Sequence, residues 1–142
     1  MHSQVRSITF DCADPELLAS FWAAALGYSK REPPPEYPSW AAYLEALGVP
    51  EGQWSASAAV LDPEGIRPRL LFLKVPEGKA LKNRVHLDLA PQSSMDAEVS
   101  RLLHLGARVL ERFDTPVGAF TVMQDPEGNE FCVETGPGDE EK

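Results

Sequence analysis

Two stretches, "ITFDCA" at residues 8–13 and "VHLDLA" at residues 85–90, decide how this 142-residue chain folds. Each alternates apolar and polar residues, the period-two pattern of a strand with one covered face. In the first, Ile8, Phe10 and Cys12 point one way, and Ser7, Thr9 and Asp11 the other. In the second, Val85, Leu87 and Leu89 oppose Arg84, His86 and Asp88. The two halves continue alike beyond these stretches. Asp14 stands as a helix N-cap before Pro15, the apolar residues Leu17, Leu18, Phe21, Trp22, Ala25 and Leu26 recur at helical spacing, and Gly27 ends the run. In the second half "SSMDAEVSRLLHLG" (93–106) predicts a helix with Met95, Val99, Leu102 and Leu103 inward and Gly106 at its end.

Strands come next in both halves. "SASAAVL" (55–61) and "RPRLLFLKV" (67–75) flank a "DPEG" turn; "ARVLERF" (107–113), "AFTVMQ" (119–124) and "NEFCVET" (129–135) surround a second one at 125–128. The economical reading is an internal duplication. It predicts an α+β fold of two modules, about 5–78 and 83–135, in a single domain over 1–136, with a frayed tail at 137–142 that lacks apolar residues. Between the first helix and the third strand, "REPPPEYPSW" (31–40) is too rich in proline for a central strand and predicts a loop. Ser39 and Gly48 bracket a helix of about two turns within it.

Composition narrows the function. The length and 43% hydrophobic content suit one compact domain with a sizeable core. Thirteen basic against 22 acidic residues, a formal charge of -9, argue against nucleic acid or an anionic membrane as partner. No apolar stretch approaches the roughly 18 residues of a membrane span, and no leader-type segment is seen, so the expected location is the cytoplasm. Cys12 and Cys132 sit in strand-like stretches and read as reduced core thiols.

If the two modules build one curved sheet, Ser7, Thr9, Asp11, Arg84, His86 and Asp88 line its polar side, the usual setting of a small-molecule site. His86 is then either a ligand-facing proton carrier or a half-buried histidine bonded to Asp88, Asp11 or a carbonyl. Asp11 and Asp88 hold corresponding positions, either as interacting carboxylates or as salt-bridge partners of Lys82 and Arg84. Tyr37, Trp40, Tyr43 and Trp54 crowd the irregular segment, where they either wall a ligand or cover the sheet edge.

"FDCADPELLASFW" (10–22), "KNRVHLDL" (82–89) and "MQDPEGNEFCVE" (123–134) together resemble the vicinal-oxygen-chelate superfamily, which includes glyoxalase-like, bleomycin-resistance and dioxygenase proteins. More narrowly they are similar to its actinobacterial-type glyoxalase-like members, and the resemblance runs from about Val5 to Glu134. It implies two βαβββ modules forming a U-shaped cup of mixed sheet with helices outside. Metal-using members take ligands from the first and last strands of each module. His86 matches one such position, whereas Ser7 or Thr9, Phe72 and Cys132 stand at the others, with Glu130 and Glu134 flanking Cys132. The ligand set at hand is His86 and Cys132 with Glu134 or Glu130.

The resulting expectation is a homodimeric protein that holds a small organic molecule without a conventional divalent metal. His86, Asp88 and Asp11 are the expected catalytic groups, and Thr9, Trp40, Trp54, Phe72, Cys132 and Glu130 the expected ligand-binding ones. The alternative is a lyase, isomerase or dioxygenase that uses His86, with or without a divalent metal.

Overall fold

Asp14 accepts the Leu17 amide at 3.2 Å through its side chain, Pro15 takes the first helical position, and Gly27 closes α1 (Pro15–Leu26) at a φ of 69°. This helix carries the chain across the sheet of the first module. The computed structural model describes residues 1–139 and resolves two compact units, Met1–Gly78 and a second that begins at Lys79. No helix among the described residues is long and apolar enough to cross a membrane.

The first unit contains β1 (Ser7–Cys12), α1, β2 (Ser29–Lys30), α2 (Trp40–Ala46), β3 (Ser57–Leu61) and β4 (Arg69–Lys74). The second contains β5 (Asp88–Leu89), α3 (Met95–His104), β6 (Arg108–Thr115), β7 (Gly118–Gln124) and β8 (Glu130–Glu134). Sheet orders are β1-β4-β3-β2 and β5-β8-β7-β6, and in each the first strand runs parallel to the last while the others are antiparallel. Both units are therefore βαβββ modules with one topology, as the duplication predicts. Strand β2 escapes the sequence pattern because it is two residues long and adjoins the proline run.

Register sorts side chains between the two faces of each sheet. In the first unit, Phe10 lies opposite Phe72, with ring centroids 5.4 Å apart, and Phe10 also meets Trp22 of α1 at 5.7 Å. Leu18, Trp22, Val60, Leu70 and Phe72 are all buried in that helix-side core. In the second unit, the Thr121 hydroxyl donates to the Met95 sulfur at 3.5 Å, and Thr121 lies opposite Val133, so Thr121, Met123, Phe131 and Val133 face α3. Leu103 and Val85, expected inward, are exposed, whereas Met95 and Leu102 are buried as predicted.

Each DPEG turn is held by its aspartate. Asp62 accepts the amides of Glu64, Ile66 and Arg67 at 2.9–3.2 Å. Asp125, fully buried, accepts the amides of Glu127 and Asn129 at 2.9 and 3.0 Å and the Asn129 side chain at 2.9 Å. The chain after Glu134 is also ordered by a carboxylate. Pro137–Asp139 form a 3-10 turn, and Asp139 accepts the amides of Met95 and Gly136 at 2.7 and 2.9 Å. That part of the expected frayed tail is docked, because it caps the α3 start and because a Cβ at Gly136 would collide with the Ser93 carbonyl. The rest of the tail expectation lies outside the described residues.

Asp125→Ala should leave two amides and an amide side chain without acceptors and cost about 3 kcal/mol in urea unfolding. A loss under about 1 kcal/mol would mean that the turn holds without it. Asp62 behaves differently with pH. The Arg67 and Glu64 amides foremost, outweighing burial, hold its pKa below the usual carboxylate range. A depressed folded pKa gives stability that is present above the unfolded value of about 3.9 and is lost as pH falls through the folded one. The melting temperature of Asp62→Asn should therefore fall below wild type at neutral pH and converge on it in acid; a constant gap across that range would contradict the assignment.

Candidate functional site

The sheet face turned away from α3 gathers the chemistry of the second unit. Parallel pairing sets Asp88 opposite Cys132, and the Cys132 amide donates to the Leu87 carbonyl at 2.9 Å. His86 lies two residues before Asp88 and shares its side. Its Nδ1 is 3.5 Å from Asp88 Oδ1, with both side chains about half exposed, 40% and 54%. One ligand atom from each of His86, Asp88 and Cys132 lies within 4.8 Å of the others. His86 precedes β5 rather than sitting inside it, because the strand has shortened to Asp88–Leu89.

Burial first, then the Asp88 charge and a hydrogen bond to Asp88, push the Cys132 thiol above its ordinary pKa, with Lys82 opposing. The group is therefore a neutral thiol at pH 7 in the protein alone, not an activated nucleophile. Asp88 pairs with His86, and no ion pair to Lys82 or Arg84 forms among the described residues.

The other expected residues divide. Glu130 shares the face of Cys132, but its oxygens are engaged: the Asn83 amide donates at 2.9 Å and the Lys79 ammonium lies at 3.3 Å. Burial would raise its pKa, but the Asn83 amide, its own amide and Lys79 outweigh that and hold it below the usual range. Glu130 thus fastens the segment leading into β5. Glu134 stands opposite Phe120, a two-residue step of about 7 Å along β8 from Cys132. The acid beside the thiol is Asp88, which corrects the expected set of His86, Cys132 and Glu134.

Phe72 is corrected too. Register makes Asp11–Leu73 the counterpart of Asp88–Cys132, so Leu73 corresponds to Cys132, while Phe72 corresponds to Phe131 and is core. Thr9 and Asp11 are exposed on β1, opposite Leu71 and Leu73, and Asp11 forms no ion pair among the described residues. Trp54 donates its indole N–H to the Val49 carbonyl at 2.9 Å and closes its own loop. Trp40 donates to the Arg31 carbonyl at 3.3 Å and stacks on that arginine.

Metal-using members of the superfamily that the sequence resembles hold a divalent ion, and the donor set here is selective about which would fit. Imidazole, thiol and carboxylate suit zinc and similar borderline ions and not oxygen-seeking magnesium or calcium. Ligands of a tetrahedral zinc stand roughly 3.3–3.8 Å apart, so three donors within 4.8 Å need only small side-chain rotations to close. The residues present fit an ion of that class. Sequence pattern alone missed Asp88 as a donor, because parallel pairing across 44 residues leaves no local signal.

Residues 7–134 match the glyoxalase-like domain family, and the chain belongs to that family. Among curated proteins no sequence match is found. Solved structures share the fold over nearly the whole chain. The fosfomycin resistance protein FosX of Listeria monocytogenes, solved as a mutant with Mn(II) and a dihydroxypropylphosphonic acid, is 14% identical at a TM-score of 0.64, covering 96% of this chain and 91% of its own. TnmS3, an antibiotic binding protein from Streptomyces sp. CB03234, is 20% identical at 0.59, covering 96% and 97%. A glyoxalase/bleomycin resistance/dioxygenase family enzyme from Burkholderia phytofirmans PsJN is 14% identical at 0.62, covering 92% and 97%. The two βαβββ modules are those of the vicinal-oxygen-chelate fold.

Truncating Phe72 to Ala should cost about 4 kcal/mol in urea unfolding and truncating Leu73 to Ala about 1 or less, the difference between a core ring and a part-exposed side chain. Equal losses would contradict the face assignment.

Proposed function

We propose that this glyoxalase-like protein binds a small organic molecule on the polar sheet face of its second unit, held directly by His86 and Asp88 beside Cys132. The convergence of these three groups carries the reading. An imidazole and a carboxylate 3.5 Å apart, both part-exposed, offer a donor and an acceptor to neighbouring hydroxyl or carbonyl groups. Direct binding requires no metal ion between these groups and the ligand. The named activity of TnmS3, antibiotic binding, is in keeping with a binding protein on this fold. Thr9, Asp11 and Trp40 remain secondary candidates for ligand contact, and the homodimer remains an expectation.

A second reading is favoured by the same 4.8 Å grouping: an enzyme in which His86, Asp88 and Cys132 hold a zinc-class ion. Such an ion supplies Lewis acidity toward a substrate oxygen. In the direct-binding reading Asp88 orients the His86 ring through Nδ1, leaving Nε2 to meet the ligand or take a proton; in the metal reading Nε2 would be the His86 donor to the ion.

A thermal-shift screen of metabolites and aromatic antibiotics separates these readings. Uncharged compounds that raise the melting temperature of wild type should lose at least about tenfold in affinity in His86→Ala and Asp88→Asn, a difference of about 1.4 kcal/mol. Equal stabilisation of all three proteins would remove the site. Titration with cobalt(II) then decides on metal: a thiolate-to-cobalt charge-transfer band that disappears in Cys132→Ser supports the enzyme reading, and its absence from wild type sinks it.

A further inference from the structure

The first unit carries a constellation that the His86 site leaves unused. Lys30 and Arg31 are neighbours in sequence, and the pairing of β2 with β3 sends them to opposite faces of the sheet. Lys30 reaches Glu16 and Ser20 of α1. The Arg31 amide donates to the Ala59 carbonyl at 2.9 Å, which sets its side chain on the face away from that helix. Ala59 pairs with Leu71, and Arg69, two residues before Leu71, shares this face. Arg69 stands opposite Ser7 and donates its Nε–H to the Ser7 hydroxyl at 2.6 Å. Arg31 thus stands across from Ala59, with Arg69 diagonal to that alanine on the same face, one step beyond Leu71.

An aromatic wall stands beside them. The Arg31 guanidinium lies 5.1 Å from the Trp40 ring centroid, and the Trp40 indole N–H returns to the Arg31 carbonyl. Tyr43 packs 5.9 Å from Trp40, and Tyr37 packs 5.0 Å from Tyr43. Ser39, capping α2 through the Ala42 amide at 3.1 Å, fixes the turn from which Trp40 and Tyr43 project.

The charges are what need an explanation. The chain holds 22 acidic residues against 13 basic ones, yet the ion pairs among the described residues engage Lys30, Arg67, Lys79, His86, Arg101 and Arg112 and neither Arg31 nor Arg69. Arg31 Nε is buried and has no hydrogen-bond acceptor among the described residues. Burial foremost, and then the charge of Arg69, pull the Arg31 pKa down. Two part-buried cations placed together without a carboxylate oppose folding, and the arrangement is relieved when an anion joins them.

We propose that Arg31 and Arg69, with Trp40 and Tyr43 as a wall, bind an organic anion in which a carboxylate or phosphonate adjoins a flat apolar group. The planar guanidinium fork matches both kinds of anion in bidentate fashion, and the indole and phenol rings take the apolar part. This site rests on the first unit alone and stands or falls independently of His86.

Isothermal titration of the full chain with phenylphosphonate tests it, with benzyl alcohol as neutral control and inorganic phosphate as the bare anion. The expected result is saturable binding of phenylphosphonate, weaker binding of phosphate, no binding of benzyl alcohol, and loss of affinity on raising salt. Arg31→Met and Arg69→Gln should each weaken phenylphosphonate about tenfold or more, as expected for loss of a charge-assisted pair, while Arg108→Gln, the same charge change on exposed β6, should bind as wild type. Among the described residues the Arg69 side chain hydrogen-bonds Ser7 alone, so Arg69→Gln carries the test should Arg31→Met fail to fold. Absence of saturable binding, or wild-type affinity in both arginine variants, would overturn the site; phosphate binding as tightly as phenylphosphonate would overturn the aromatic wall.

Discussion

Each unit depends on one constraint, the parallel pairing of its opening strand with its closing strand. An antiparallel pair can form across a tight turn, but a parallel pair needs a crossover, and in both units a capped helix supplies it. The pairing also fixes register, and with a side-chain period of two, register decides which residues are buried and which are offered to a ligand. A slip of one residue would exchange Phe131 for Cys132 and Phe72 for Leu73. The buried aromatic layer of Phe10, Trp22 and Phe72 makes such a slip in the first unit costly.

The duplicated scaffold carries different chemistry on equivalent surfaces. In the second unit the face away from its helix presents imidazole, carboxylate and thiol, a combination able to exchange protons or hold a borderline metal ion. In the first unit the corresponding strand pair is Asp11 and Leu73, and the chemistry has moved along the sheet to the arginines at positions 31 and 69. The helix-side cores, by contrast, are alike, with Phe72 and Phe131 in matching places. The two units agree in what the fold needs and differ on their open faces.

Local signals carried most of the fold into the sequence. Asp14, Ser39 and Ser94 cap helices through their own side chains, glycines at 27 and 106 end them in positive φ, and both DPEG turns close as their composition demands. The alternation around His86 and Asp88 reads in part: their side chains meet, but Val85 is exposed and the strand is only Asp88–Leu89. Non-local pairing was not legible. Nothing near residue 88 announces residue 132 as its partner, and "LLFLKV" is apolar on both faces, so Phe72 and Leu73 could not be told apart by period. Arg31 was hidden for a further reason: a two-residue strand at the edge of a proline run leaves no periodicity to read, and only pairing with Ala59 gives the side chain a direction.

The central claim is that ligands meet the second unit on the sheet face bearing His86, Asp88 and Cys132. It is tested most directly by mapping nuclear magnetic resonance shifts of isotope-labelled protein on addition of the uncharged compound that stabilises it most. The account predicts side-chain shifts that alternate along the strands, large at His86, Asp88 and Cys132 and small at the buried Phe131 and Val133. Shifts concentrated in the proline-rich segment or the DPEG turns, with His86 and Asp88 unmoved, would contradict it.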